Sequence, residues 1–260
     1  MSTLTIAIVQ TTTAWHDAAA NRRRFDQFLA SVPGNVSLVL LPEMFTTGFT
    51  MQPEQVAEGP AGITTRWMTD WAERGRFVLG GSVVTAAGAD YFNRFLWAEP
   101  GGGIRAYDKR HCFRMAGEHE HYAAGRTRPV WTVNGGRVRP SVCYDLRFPV
   151  WLRCRGDYDV LVCVANWPAA RLDAWDALLK ARAIENQAFV AGVNILGTDG
   201  NGVVYDGGSA VYAPDGRSLL AAGNAEGVFT VDLDLTELAA YRERFPAWRD
   251  ADRFEVLDAE

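Results

Sequence analysis

The feature that most restricts this fold is an alternation near the N-terminus. The apolar run LTIAIV (4–9) is followed by a helix-like stretch from Asp17 to about Ala30, then by VSLVLL (36–41), then by a second helical stretch from about Ile63 to Glu73. Short apolar runs fit buried strands, and longer stretches with apolar residues three and four apart fit helices with one buried face. That order predicts crossover units and parallel strands. FVLGGSVV (77–84), YFNRFLWA (91–98) and IRAYDK (104–109) then follow with short, Gly-containing connections. This is a hairpin pattern, so the middle of the chain is predicted to be antiparallel. RVRPSVCY, DVLVCVA, a helix from about Leu172 to Ala188, and FVAGVNIL return to the first pattern. VVYDG, SAVYAP, SLLAA and GVFTVDL add further strands before a last helix near Leu235 to Arg244. The prediction is an α/β fold of about a dozen strands with helices packed outside. It forms one domain over residues 1–260, with no linker and no internal repeat.

Composition narrows the function classes. Hydrophobic residues make up 48% of the chain, enough for a large core, and the net charge is -5. A nucleic-acid partner calls for a basic patch, which this balance does not favour. MSTLTIAIVQ lacks the basic flank of a signal peptide, and no window approaches the ~18 consecutive apolar residues of a membrane span. A soluble cytoplasmic protein with no membrane partner is expected. Cys112, Cys143, Cys154 and Cys163 lack C-x-x-C spacing and are too sparse for a disulfide framework, so they are expected to be reduced.

Three residues stand where chemistry is placed in sheet proteins. Glu43 follows the apolar run 36–41 and Pro42, which puts a carboxylate at the C-terminal end of a strand, where open sheets carry their sites. Buried beside Met44 and Phe45, it would serve as a general base. Lys109 ends the strand IRAYDK, and an amine near a thiol stabilises the thiolate and later an oxyanion. Cys143 lies between a strand and a helix expected to start at Pro149, so its thiol pKa is predicted to fall in the helix dipole, with the Tyr144 N–H facing a developing oxyanion. Each residue also has a plain structural reading, respectively a loop-capping carboxylate, a solvated strand-end lysine and a core cysteine. GEHEHY brings His119, Glu120 and His121 together, but its histidines are two residues apart with no third ligand in reach, so no metal is assigned.

Taken in order, LPEMF, YDKRHCF and VCYDLRFP resemble the motifs of the nitrilase (carbon–nitrogen hydrolase) superfamily. The resemblance extends from IAIVQ through NWP (166–168) to ARAIENQAFVAGVN (181–194). LPEMFTTGF, DKRHCFRMAGEHEHYAAG and ANWP are most similar to its omega-amidase (2-oxoglutaramate amidase) branch. The resemblance implies a four-layer alpha-beta-beta-alpha sandwich, a homodimer, no cofactor, and a Glu43, Lys109, Cys143 triad. It also implies a second glutamate placed before a glycine. Glu118 stands seven residues before Gly125 and Glu120 stands five before it, and Glu118 is preferred. The implied reaction hydrolyses a small linear primary amide with a distal carboxylate, passing through a cysteine thioester. Trp167 and Phe113 are expected to wall the pocket. Arg114 and Arg147 are candidates for the substrate carboxylate, although Arg147 would serve equally by pairing with Asp145. Other superfamily activities (nitrilase, N-carbamoyl amidase, deaminated-glutathione amidase), a metal amidohydrolase and a non-catalytic binding module are the alternatives.

Overall fold

In the computed structural model, which describes residues 3–256, neighbouring residues of the N-terminal strands face two different cores. In β1 (Thr3–Gln10), Leu4, Ile6 and Ile8 enter one buried cluster while Ala7 and Val9 enter another. In β2 (Leu38–Leu40), Leu38 and Leu40 join the first cluster and Val39 the second. A pleated strand directs alternate side chains to opposite faces, so strands apolar at every position are covered on both sides. The second cluster contains Phe25 and Leu29 of α1 (Ala18–Leu29). After the short α2 (Pro53–Val56), α3 (Ile63–Gly75) adds Met68 and Ala72. Asp17 caps α1 by accepting the N–H of Ala20 at 2.8 Å, as an N-cap carboxylate does.

The first sheet continues with β3 (Val78–Ala87), β4 (Asp90–Ala98) and β5 (Ile104–Asp108). A short α4 (Glu118–His121) precedes the second sheet, whose first strands are β6 (Trp131–Val133) and β7 (Gly136–Val142). Then come α5 (Pro149–Leu152), β8 (Val160–Val164), α6 (Leu172–Asn186) and β9 (Phe189–Val193). The chain goes on through β10 (Leu196–Thr198), β11 (Val204–Asp206), β12 (Ala210–Tyr212) and β13 (Ser218–Ala221). Strand β14 (Gly227–Asp234) and α7 (Leu235–Arg244) follow.

Strand order is β14-β1-β2-β3-β4-β5 in one sheet and β13-β12-β9-β8-β7-β6 in the other, with β10-β11 as a separate hairpin. In each large sheet three central strands run parallel and antiparallel strands flank them. Leu4, Ile6, Phe95 and Trp97 of the first sheet share a cluster with Val138, Val160, Val162 and Ala191 of the second. The sheets therefore pack face to face, with α1 and α3 outside one and α6 outside the other, giving four layers. Helix α6 approaches so closely that a Cβ on Gly192 would lie 2.5 Å from Leu179. Among the described residues there are fourteen strands against the expected dozen. The additions are the three-residue β6 and β10, too short for an alternation to register. Helix α6 ends at Asn186 rather than Ala188 because Gln187 turns left-handed, with φ +46°. Among the described residues, no helix is long and apolar enough to cross a membrane.

Candidate active site

Parallel strands deliver Glu43, Cys143 and Asn166 from their C-terminal ends, and the antiparallel edge strand β5 delivers Lys109. Glu43 comes two residues after Leu41, which is hydrogen-bonded through its N–H to Gly80. Cys143 follows β7 directly, and Asn166 stands two residues after β8. Lys109 follows β5, and its main-chain N–H bonds the carbonyl of Asn93 on β4 at 3.0 Å. The sequence thus places four chemistry-bearing side chains along the seam where the two sheets meet.

Glu43, Lys109 and Glu118 are all buried, with Lys109 at 1% and the two glutamates at 0% exposure. The Lys109 ammonium donates to Glu43 Oε1 at 2.9 Å and to Glu118 Oε1 and Oε2 at 2.9 and 2.8 Å. Burial alone would lower the lysine, but the Glu118 and Glu43 carboxylates hold it well above its ordinary value. Glu118 is raised by burial, with Lys109 opposing that rise. Glu118 also accepts the main-chain N–H of Phe113 at 2.5 Å, whereas the Glu120 side chain is 69% exposed. The glycine seven residues on has its own reason to be there. Gly125 donates its N–H to the Lys109 carbonyl, and a Cβ at Gly125 would lie 1.9 Å from the Asp108 carbonyl oxygen. The loop is therefore pinned to Lys109 at both ends.

Residues outside the sequence-level candidates complete this polar core. Asn93 donates to Glu43 Oε1 at 2.7 Å and to Glu118 Oε1 at 3.2 Å, and its side-chain amide oxygen accepts the Ser82 hydroxyl at 2.8 Å. Asn166 donates its main-chain N–H to Glu43 Oε2 at 2.7 Å and its amide to the Glu43 carbonyl at 2.8 Å. The only sequence signal was position, an Asn on a hairpin strand and the Asn of NWP. Neither motif position carries charge, and their partners lie 50 and 123 residues away.

Cys143 takes φ +45°, a left-handed conformation that costs a residue with a Cβ on the order of 1–3 kcal/mol unless its surroundings impose it. Asp145 supplies that constraint. Its buried carboxylate accepts the Val142 N–H, the Tyr107 hydroxyl and the His111 N–H, and it contacts the His111 ring. Cys163 adds a thiol contact to the Cys143 carbonyl at 3.8 Å. The thiol of Cys143 departs from the sequence expectation. After β7 the chain enters a five-residue 3-10 turn, Cys143–Arg147, and then the four-residue α5 with Pro149 at its start. The helix after the cysteine is a single turn, too short to supply the expected dipole. Burial and the neighbouring Glu43 charge push the thiol well above its usual range, against the opposite pull of Lys109.

A cavity of about 890 Å³ opens above this group, lined by Lys109, Phe113, Cys143, Tyr144, Arg147, Asn166 and Trp167 among others. Arg147 stands 5.0 Å from the Trp167 ring centroid, and the Phe113 and Tyr144 rings meet edge to face at 4.9 Å. The Asp145 carboxylate is committed elsewhere, so Arg147 does not pair with it. Arg114 is not brought to the site: it is exposed on the 3-10 turn Arg114–Ala116 and is absent from the cavity wall. Arg171, not singled out in the sequence, lines the wall instead.

Two facing sheets with outer helices, and a buried Glu and Lys beside a half-buried Cys at their seam, define a carbon–nitrogen hydrolase. The carbon-nitrogen hydrolase family model matches residues 5–243, and this chain belongs to that family. It is 48% identical to the omega-amidase YafV of Yersinia enterocolitica, over 99% of this chain and 100% of the relative. It is 32% identical to the 2-oxoglutaramate amidase of Bacillus subtilis, over 95% and 96% of the two chains. Among solved structures it resembles XC1258 of Xanthomonas campestris, a CN-hydrolase superfamily protein with an arsenic adduct in its active site. The TM-score is 0.96 and the identity 45%, covering 98% of this chain and 100% of that one.

Proposed function

We propose that this protein is an omega-amidase, a thiol-dependent hydrolase that converts a small linear primary amide with a distal carboxylate, such as 2-oxoglutaramate or succinamate, to the diacid and ammonia. The observation that carries this reading is a cavity lined by Cys143, by Lys109 of the buried Glu–Lys–Glu group, and by Arg147, which meets no acid among the described residues. The relatives named omega-amidase and 2-oxoglutaramate amidase support the same substrate class.

In this mechanism Glu43 takes the proton of the Cys143 thiol and the sulfur attacks the amide carbon. Because burial keeps the thiol protonated, the nearby base is needed at neutral pH. Lys109 and the Tyr144 N–H stabilise the oxyanion, ammonia leaves with a proton returned from Glu43, and a water activated by Glu43 cleaves the thioester. Glu118 acts through Lys109 by fixing its ammonium. Trp167 and Phe113 wall the substrate, and Arg147 holds its carboxylate with a charge-assisted fork. Residues 1–260 function as one domain in the cytoplasm. A homodimer is supported by apolar side chains left exposed on adjoining elements, Ile184 at 48%, Phe245 at 58% and Trp248 at 38%. Gln187 ties the latter two segments to the end of α6. A monomer in analytical ultracentrifugation at working concentration would refute the dimer.

The substrate is tested by ammonia release from 2-oxoglutaramate and succinamate against neutral amides of equal length and against nitriles. The acids should react much faster, because binding a remote group holds the amide carbon in attacking geometry. Faster release from simple aliphatic amides or nitriles would leave only the family assignment standing.

A further inference from the structure

The cavity above Cys143 carries two guanidinium groups, and they arrive by different routes. Arg147 comes with the turn that follows the cysteine, while Arg171 ends the 3-10 turn Ala169–Arg171 that leads into α6. Each stands over an aromatic ring of the same cavity, Arg147 at 5.0 Å from the Trp167 centroid and Arg171 at 5.5 Å from that of Phe113. Trp167 links the two. Its ring carries Arg147, and its indole N–H donates to the Arg171 carbonyl at 2.8 Å, which fixes the turn that presents the second arginine.

A guanidinium resting on a ring engages its π face and leaves its in-plane N–H edge available. Among the described residues neither side chain has an ion-pair partner. The acids of the cavity region are already committed. Asp199, which also lines the cavity, accepts the N–H groups of Asn201 and Val203 and the Tyr205 hydroxyl. Glu43 and Glu118 are held by Lys109. Two half-buried cations with open N–H edges are thus directed at a space whose own anions are occupied, and a bound anion is the group that would satisfy both.

We propose that Arg171 is a specificity-determining residue, which completes with Arg147 a two-armed site for the carboxylate of the substrate. This rests on the omega-amidase reading above. A carboxylate has two oxygens and several lone pairs, so it accepts one fork on each side. A neutral chain end of the same length offers nothing to either arm.

The test compares succinamate with butyramide, which has the same number of carbons and no charge, in wild type, Arg171→Gln and Arg171→Lys. Loss of one charged hydrogen-bonding arm should lower kcat/KM for succinamate about 10-fold to 100-fold, mostly through KM. Butyramide should lose far less, and Arg171→Lys should recover part of the succinamate rate. Equal losses on both substrates would make Arg171 a wall residue and overturn the proposal, as would an unchanged succinamate-to-butyramide ratio. If wild type itself showed no preference for succinamate, the omega-amidase reading would fall first, whatever the variants did.

Discussion

Replacing Lys109 by Met keeps most of the side-chain volume and removes the ammonium that touches both glutamates within 2.9 Å. Two carboxylates are then left at nearly zero exposure without a cation, both still accepting from Asn93. Removing one partner of a buried ion pair costs about 3–5 kcal/mol. At about 2–4 °C per kcal/mol for chains near this size, the melting temperature should fall by roughly 6–20 °C. The sign is tested in two ways. Adding Glu118→Gln to the Lys109→Met protein removes one of the opposed charges, so the double variant should melt higher than Lys109→Met alone while remaining inactive. Glu118, raised by burial and now without the opposing Lys109, should also bind a proton more tightly folded than unfolded, so the loss should shrink as pH falls toward the ordinary glutamate range near about 4.3. Calorimetry at several pH values, with ammonia release alongside, measures all of this. A Lys109→Met protein that melts with wild type, or a double variant less stable than the single, would refute the account of Lys109 as the counter-ion of two buried acids.

Cys143→Ala should abolish turnover while leaving the circular dichroism and melt of wild type, and a substrate analogue should add mass to wild type at Cys143. An adduct on Cys112, Cys154 or Cys163 instead would remove Cys143 from the mechanism. Because burial and Glu43 hold the Cys143 thiol well above its usual range, its alkylation by iodoacetamide should be slow at neutral pH and climb through the alkaline range. Half-maximal alkylation at or below about pH 7 would mean a pre-formed thiolate, well below the usual cysteine value, and would leave Glu43 without its first proton transfer.

What the sequence conveyed follows from the range of each signal. The alternation of β1, α1, β2 and α3 is local, as is the extent of α7, and these are legible to within a residue or two. Glu43, Lys109 and Cys143 could be nominated because each stands at the end of a strand-like run, and the structure brings them together. Asn93 and Asn166 could not, because their part in the polar core exists only through partners contributed by other strands. Arg114 and Arg171 show the same limit. Both occupy short 3-10 turns beside apolar motifs, and only the path of the loops decides that one faces the cavity and the other faces outward. The thiol expectation failed for a different reason. A proline after the cysteine signals that a helix starts, but not that it stops after four residues or that the half-buried sulfur sits beside a carboxylate.

Glu43 and Lys109 belong to the first sheet, Cys143 and Asn166 to the second, and the bonds from Asn166 to Glu43 cross between them. The reactive geometry is thus a property of how one sheet lies on the other, not of either sheet's internal ladder. Misplacing reacting groups by about 1 Å is enough to cost roughly 100-fold in rate. A small slide between the layers would silence the chemistry while every strand kept its hydrogen bonds. In a loosened state that retains its far-ultraviolet spectrum but not its side-chain packing, turnover would vanish first, making catalysis in this molecule a gauge of interlayer alignment.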